Sequence, residues 1–197
     1  MRLIFIRHPE THANVRKLIY GRTESDYSEK GKNSIRWVVE HLRERTISGI
    51  YASPLKRTAM LADSIGTEYG VPVRFRDELM EMDFGVFENL TPEEAAEKYD
   101  QYYKAFMDNY TDYMIPDGES FRGVYDRVAG FMQEIIAADG TCVIVTHGMV
   151  IKAALAYLLD LGLDDVWHFN TQPAAIIEIE YRDRYGVLHG LTGPDMG

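Results

Sequence analysis

The chain has 197 residues, enough for one domain and marginal for two, and its 46% hydrophobic and 26% charged content excludes a disordered polymer. Sixteen glycines and seven prolines are too few for a fibrous one. With 21 basic against 31 acidic side chains, the formal net charge of -10 excludes a surface made for nucleic acid or anionic membrane, while leaving room for a local cationic pocket. Cys142 is the single cysteine, so no intrachain disulfide and no cysteine-based zinc site can form. A reducing compartment fits that count. The apolar run Leu3 to Ile6 is far too short for a secretion signal, and no stretch approaches the roughly 20 apolar residues of a membrane span. The expectation is a cytoplasmic protein with neither nucleic-acid nor membrane partner, a monomer or a homodimer, with one domain over 1–197.

In chain order, Leu3 to Ile6 reads as a buried strand. A helix is expected from about Glu29 to Arg45, with Ile35, Val38, Val39 and Leu42 on one face. Gly49 to Ala52 is a second strand. Ser53-Pro54 then reads as a helix start, serine at the N-cap and proline at the first helical position, for a helix reaching about Tyr69. Val73 to Arg76 is a third strand. Residues 78–118 break the rhythm and read as a cap above the sheet, with a helical stretch from about Thr91 carrying Ala95, Tyr99, Tyr102 and Phe106 on one side. Ser120 is the expected N-cap of a helix with Phe121, Val124, Val128 and Ile135 on its face. Cys142 to Val145 reads as the central strand, followed by a helix from Met149 to Leu159. Ala175 to Tyr181 and Val187 to Leu191 read as a closing hairpin. Strands alternating with helices predict a three-layer α/β/α fold with a mostly parallel sheet.

Chemistry-bearing residues follow the predicted strands. Arg7 and His8 come after the first, Arg57 in the first turn after the second, and His147 and Gly148 after the Cys142 strand. Ligands of open α/β sheets bind beyond the carboxyl ends of the strands. Two guanidinium forks match phosphate oxygens, and helix starts after Ser53 and Gly148 would add backbone donors and a favourable dipole. A neutral imidazole is a competent nucleophile toward phosphorus. Taken singly, each residue has a plainer reading: a solvated pair, a core histidine, an exposed helix charge. Their joint placement is what points to phosphoryl transfer. HPETH at 8–12 spaces two histidines like a metal pair, but the zinc-protease arrangement needs a helix and a glutamate beside the first histidine, and Pro9 argues for a loop.

The segments RHPET at 7–11, SPLKRT at 53–58, LMEMDFGVFENLT at 79–91, PDGES at 116–120 and VTHG at 145–148 resemble the histidine phosphatase superfamily. The similarity is nearest to its phosphoglycerate mutase-like branch, which includes the α-ribazole phosphatases. The resemblance covers residues 2 to about 180. It implies that His8 is the nucleophile that becomes phosphorylated and that Arg7, Arg57 and His147 complete the phosphate pocket. It further implies that Asn14 and the Gly148 amide contact the phosphate, with Tyr20 and Gly21 completing the substrate contacts, and that Glu81 is the acid–base residue. Spacing alone does not select Glu81 from Asp77, Glu78, Asp83 and Glu88, which also read as a solvated acidic face. The family needs neither metal nor dissociable cofactor. One departure stands out: the family's usual glycine after the nucleophile is Pro9 here, which forfeits an amide donor and fixes φ.

The cap segment 92–115 carries Glu93, Glu94, Glu97, Asp100, Asp108 and Asp112 against Lys98 and Lys104. A phosphoglycerate mutase must hold a carboxylate as well as a phosphate and wants cationic groups there. A short acidic cap therefore favours hydrolysis of a small phosphate ester with an aromatic or neutral tail, the α-ribazole phosphatase type being one concrete reading. The mutase is the runner-up, and a non-catalytic phospho-ligand binder is the reading from a different class.

Overall fold

A computed structural model describes residues 1–194. In chain order its elements are β1 (Arg2–Arg7), α1 (His12–Val15), α2 (Glu29–His41), β2 (Gly49–Ala52), α3 (Lys56–Tyr69), β3 (Val73–Phe75), α4 (Pro92–Lys98), α5 (Asp100–Asp108), α6 (Phe121–Ile135), β4 (Thr141–Thr146), α7 (Gly148–Leu159), β5 (Ile176–Arg182) and β6 (Tyr185–Thr192). The strands form one sheet in the order β3-β2-β4-β1-β5-β6. β3, β2, β4 and β1 run parallel, and the β5–β6 hairpin is added antiparallel at the β1 side.

Alternation along the two middle strands builds both cores at once. Leu3 and Phe5 of β1, with Cys142 and Ile144 of β4, pack into the layer of α6 and α7. Ile4 and Ile6, with Val143 and Val145, pack into the layer of α2 and α3. Both faces are covered, which is why these strands read as short continuous apolar runs. Ser120 caps α6 through the Gly123 amide, and Phe121, Val124, Val128 and Ile135 are all buried.

The structure corrects three local expectations. α2 ends at His41, with Leu42 as its C-cap. α3 begins at Lys56 with Leu55 as its N-cap, so Ser53 is not the cap and Pro54 is not in the helix. The expected single cap helix is two, α4 and α5, broken at Tyr99, whose backbone (φ -131, ψ 43) leaves the helical region. The break rotates the aromatic face. Tyr99, Tyr103 and Phe106 surround buried Phe87 with ring centroids 5.6–6.2 Å apart, while Tyr102 turns outward. Among the described residues no helix is long and apolar enough to cross a membrane.

Candidate active site

Parallel pairing of β1 with β4 sets Arg7 opposite Thr146, and the His8 amide continues the ladder onto the Thr146 carbonyl at 2.9 Å. The next residue of each strand end is a histidine. The His8 and His147 rings consequently lie side by side, centroids 5.3 Å apart, and both are buried.

His8 Nδ1 lies 2.7 Å from the Pro9 carbonyl oxygen. A carbonyl only accepts, so Nδ1 carries the hydrogen and Nε2 is left with its lone pair. Burial, then Arg7 and Arg57, hold the imidazole well below the ordinary histidine range, outweighing the Pro9 hydrogen bond. The ring is thus a neutral base with its free nitrogen defined. The backbone feature that does this is a carbonyl, which proline retains.

His147 Nε2 is 2.8 Å from Ser53 Oγ. That hydroxyl oxygen also accepts from the Leu55 amide at 3.3 Å, and His147 Nδ1 has no partner in the protein. Burial, then Arg57, His8 and Arg7, also hold His147 well below its ordinary range.

Arg57, on the first turn of α3, is the largest fully buried side chain among the described residues. Its Nη1 donates to the Thr23 carbonyl at 2.9 Å and its Nη2 to the Gly21 carbonyl, and its guanidinium lies 4.8 Å from the centre of the Tyr20 ring. Arg7 donates through Nη1 to the Thr171 carbonyl at 2.7 Å and packs against Gly148. Arg7 Nε, Arg57 Nε and His147 Nδ1 are buried without a hydrogen-bond partner in the protein. Buried polar atoms are nearly always paired, so three such atoms around one histidine suit an anion with several oxygens.

Asn14 Oδ1 accepts from the Thr11 amide at 3.0 Å and from the Tyr20 hydroxyl at 2.9 Å, which fixes the side chain. Gly148 opens the twelve-residue α7, whose N-terminal dipole faces the same point. The α3 start contributes differently from expectation. Its Lys56 amide is taken by the Glu24 carboxylate at 2.9 Å. The Gly21 amide binds Glu88 at 2.7 Å, and its carbonyl holds Arg57.

Glu81 is buried beside this group. Its carboxylate accepts from the Met82 amide at 2.9 Å and the Met149 amide at 3.3 Å, at the start of α7. Of the other acids there, Asp77 is exposed, Glu78 pairs with Arg76, Asp83 accepts from the Gly85 amide and Glu88 from a run of backbone amides.

Above Arg7, Asn14, Glu81 and Gly148 opens a cavity of about 790 Å³. Its wall is largely apolar: Phe84, Tyr103, Phe106 and Tyr110 from the cap segment, Met149 and Trp167 from the body. The Trp167 indole donates to the Tyr110 hydroxyl and bridges cap to body. Lys152 joins the wall, its ammonium held by the Val166 and Phe169 carbonyls at 3.2 and 3.0 Å. Glu93, Glu94, Glu97, Asp100, Asp108 and Asp112 are all exposed, outside this lining. The character of the cavity therefore comes from its rings, not from the cap's charge. Sequence reasoning missed Ser53 and Glu88 as parts of the site. Ser53 sits within a quoted segment, but its partner is 94 positions away.

A buried nucleophile-capable imidazole within a cage of guanidiniums, beside a carboxylate at the cavity floor, is a constellation suited to phosphoryl transfer. The model of the histidine phosphatase superfamily (branch 1) matches residues 3–192, and the chain belongs to that superfamily. A phosphoserine phosphatase 1 from Hydrogenobacter thermophilus is 30% identical over 98% of this chain and 92% of its own length. Phosphoglycerate mutase-like protein 4 from Arabidopsis thaliana is 34% identical over 77% of this chain and 68% of its own. The crystal structure of the α-ribazole phosphatase from Shigella flexneri superposes with a TM-score of 0.91 at 26% identity, covering 100% of this chain and 98% of that one. The chain is a phosphatase of small molecules with the fold of the phosphoglycerate mutase-like proteins.

Proposed function

We propose that the enzyme hydrolyses phosphomonoesters of bulky, largely apolar or aromatic alcohols through a phosphohistidine on His8. His8 Nε2 attacks phosphorus in line. The P–O bond to the alcohol breaks as the N–P bond forms, and protonated Glu81 gives its proton to the departing oxygen. Glu81, now a carboxylate, takes a proton from water as the water oxygen attacks phosphorus. The N–P bond breaks, inorganic phosphate leaves and neutral His8 returns. Arg7, Arg57, His147, Asn14 and the Gly148 amide hold the non-bridging oxygens in both steps, where fixed donors act without reorganising.

The observation that carries the substrate class is the apolar cavity of about 790 Å³ that Glu81 overlooks. A volume of that order suits a drug-sized ligand. The alcohol of phosphoserine or phosphoglycerate would fill a small part of it and bury its carboxylate against rings. An aromatic nucleoside phosphate such as α-ribazole 5′-phosphate fits the wall better. Lys152 is committed to two carbonyls, which weakens the mutase reading, since a mutase needs cations free for a carboxylate.

The test is a phosphomonoester panel with EDTA present, run beside rapid acid or base quench of a reaction with a 32P-labelled ester. The expected result is EDTA-insensitive turnover favouring aromatic esters, with acid-labile label lost in His8→Ala. Retention of most activity by His8→Ala overturns the mechanism. Isomerisation of 3-phosphoglycerate alone overturns the substrate class.

A further inference from the structure

We infer that Glu88 is a positioning residue for the phosphate clamp, acting on Arg57 through the backbone of residues 21–23. Glu88 Oε1 accepts from the Gly21 amide at 2.7 Å, the Arg22 amide at 3.0 Å and the Phe84 amide at 3.2 Å. Its Oε2 accepts from the Thr23 amide at 3.2 Å and the Thr23 hydroxyl at 2.7 Å. One carboxylate thus gathers the N–H groups of three consecutive residues. The carbonyls of the outer two, Gly21 and Thr23, are the ones that grip Arg57 Nη2 and Nη1. With both terminal nitrogens held, the guanidinium plane is fixed, and its buried Nε has no partner in the protein.

The same carboxylate ties two parts of the site together. Phe84 lies three residues beyond Glu81, so Glu88 fixes the loop behind Arg57 relative to the segment that carries the acid–base carboxylate. The packing there leaves no slack: a methyl group on Gly21 would stand 1.6 Å from the Met82 carbonyl oxygen. A charge-assisted acceptor is the right choice for such a hub, because a carboxylate offers about four lone-pair directions and no donor to clash with five incoming hydrogens. Glutamine in its place keeps an oxygen for Gly21, Arg22 and Phe84 but turns an NH2 against the Thr23 amide, so the defect falls on the Nη1 side of the clamp.

The inference rests on Arg57 holding the phosphate, and the test separates the two. Inhibition constants for inorganic phosphate and vanadate are measured for the wild type, E88Q, R57K and the double variant, with melting temperatures alongside. Expected are about tenfold weaker oxyanion binding in E88Q, a melting temperature that keeps the chain folded at assay temperature, and little further loss when E88Q is added to R57K, as for residues acting as one unit. Thr23→Val, which removes one of the five hydrogen bonds, should weaken binding in the same direction by about threefold. If R57K alone leaves oxyanion binding unchanged, the reading of Arg57 fails. If R57K weakens it while E88Q and Thr23→Val do not, or if the losses in E88Q and R57K simply multiply, Glu88 is structural only and the inference falls.

Discussion

Two neutral imidazoles buried among guanidiniums have a cost that appears as a pH dependence of folding. His8 and His147 both have folded-state pKa values held well below the ordinary histidine value, by burial first and then by the neighbouring arginines. In the unfolded chain each takes up a proton near pH 6.5. The unfolded state therefore binds more protons below that point, and stability falls as the pH falls. The stabilisation is fully present above the unfolded value and is lost progressively beneath it. Lowering the pH from 7.5 to 5.5 removes on the order of 1 kcal/mol for each histidine, a few kcal/mol at most together. Against a total of about 5–15 kcal/mol for a domain, that is a large share. Carboxylates depressed in the folded state, such as Glu78 and Glu134 beside Arg76, lose their contribution only at lower pH, so the window belongs to the histidines. Urea unfolding at pH 7.5 and 5.5 measures the difference. His147→Asn should about halve it, and His8→Asn combined with His147→Asn should nearly abolish it. An undiminished loss in the double variant would refute the electrostatic account of both rings.

Glu81→Gln should lower kcat by about a hundredfold or more on alkyl phosphates but far less on p-nitrophenyl phosphate, whose leaving group needs no proton, so equal losses on both would argue against a general acid. Ser53→Ala removes the partner of His147 Nε2 and should cost about tenfold or more in kcat/KM by steady-state assay with the melting temperature little changed; wild-type kinetics would remove Ser53 from the site. Pro9→Gly keeps the carbonyl that fixes His8, so activity should change by less than about threefold while urea unfolding shows a stability loss of about 0.4–1 kcal/mol from the freer unfolded chain. Greater activity together with greater stability would contradict that.

Much of this was legible because it follows from short-range patterns. Apolar runs at Leu3–Ile6 and Cys142–Val145 mark two strands of a mostly parallel sheet, which puts Arg7, His8 and His147 at the same sheet edge; that the two strands are neighbours is seen only in the fold. What the sequence hid is non-local. Ser53-Pro54 carries a strong helix-start signal, yet the hydroxyl is claimed by His147 across the sheet edge and the helix begins at Lys56. Glu88 looks like a surface acid because nothing adjacent says that a loop from elsewhere in the chain will bring it amides. In the cap, helical periodicity runs through Tyr99 without a breaker residue, so the two-helix arrangement and the outward turn of Tyr102 come from packing around Phe87.

The proposed nucleophile and phosphate clamp would be electrostatically one device. Burial first, then Arg7 and Arg57, hold the His8 imidazole neutral, and the same two guanidiniums would attract an oxyanion. A histidine protonated at neutral pH could not attack phosphorus, and a neutral one without the arginines would face an uncompensated dianion. The Pro9 carbonyl then decides which nitrogen bears the remaining hydrogen, a choice that charge alone does not make. The substitution of proline for the family's glycine leaves each of these terms in place: a carbonyl is present on either residue, and no positive φ is required there. Its one forfeited group is the amide N–H, and Arg7 Nε, Arg57 Nε and His147 Nδ1 remain without protein partners and could still serve an anion.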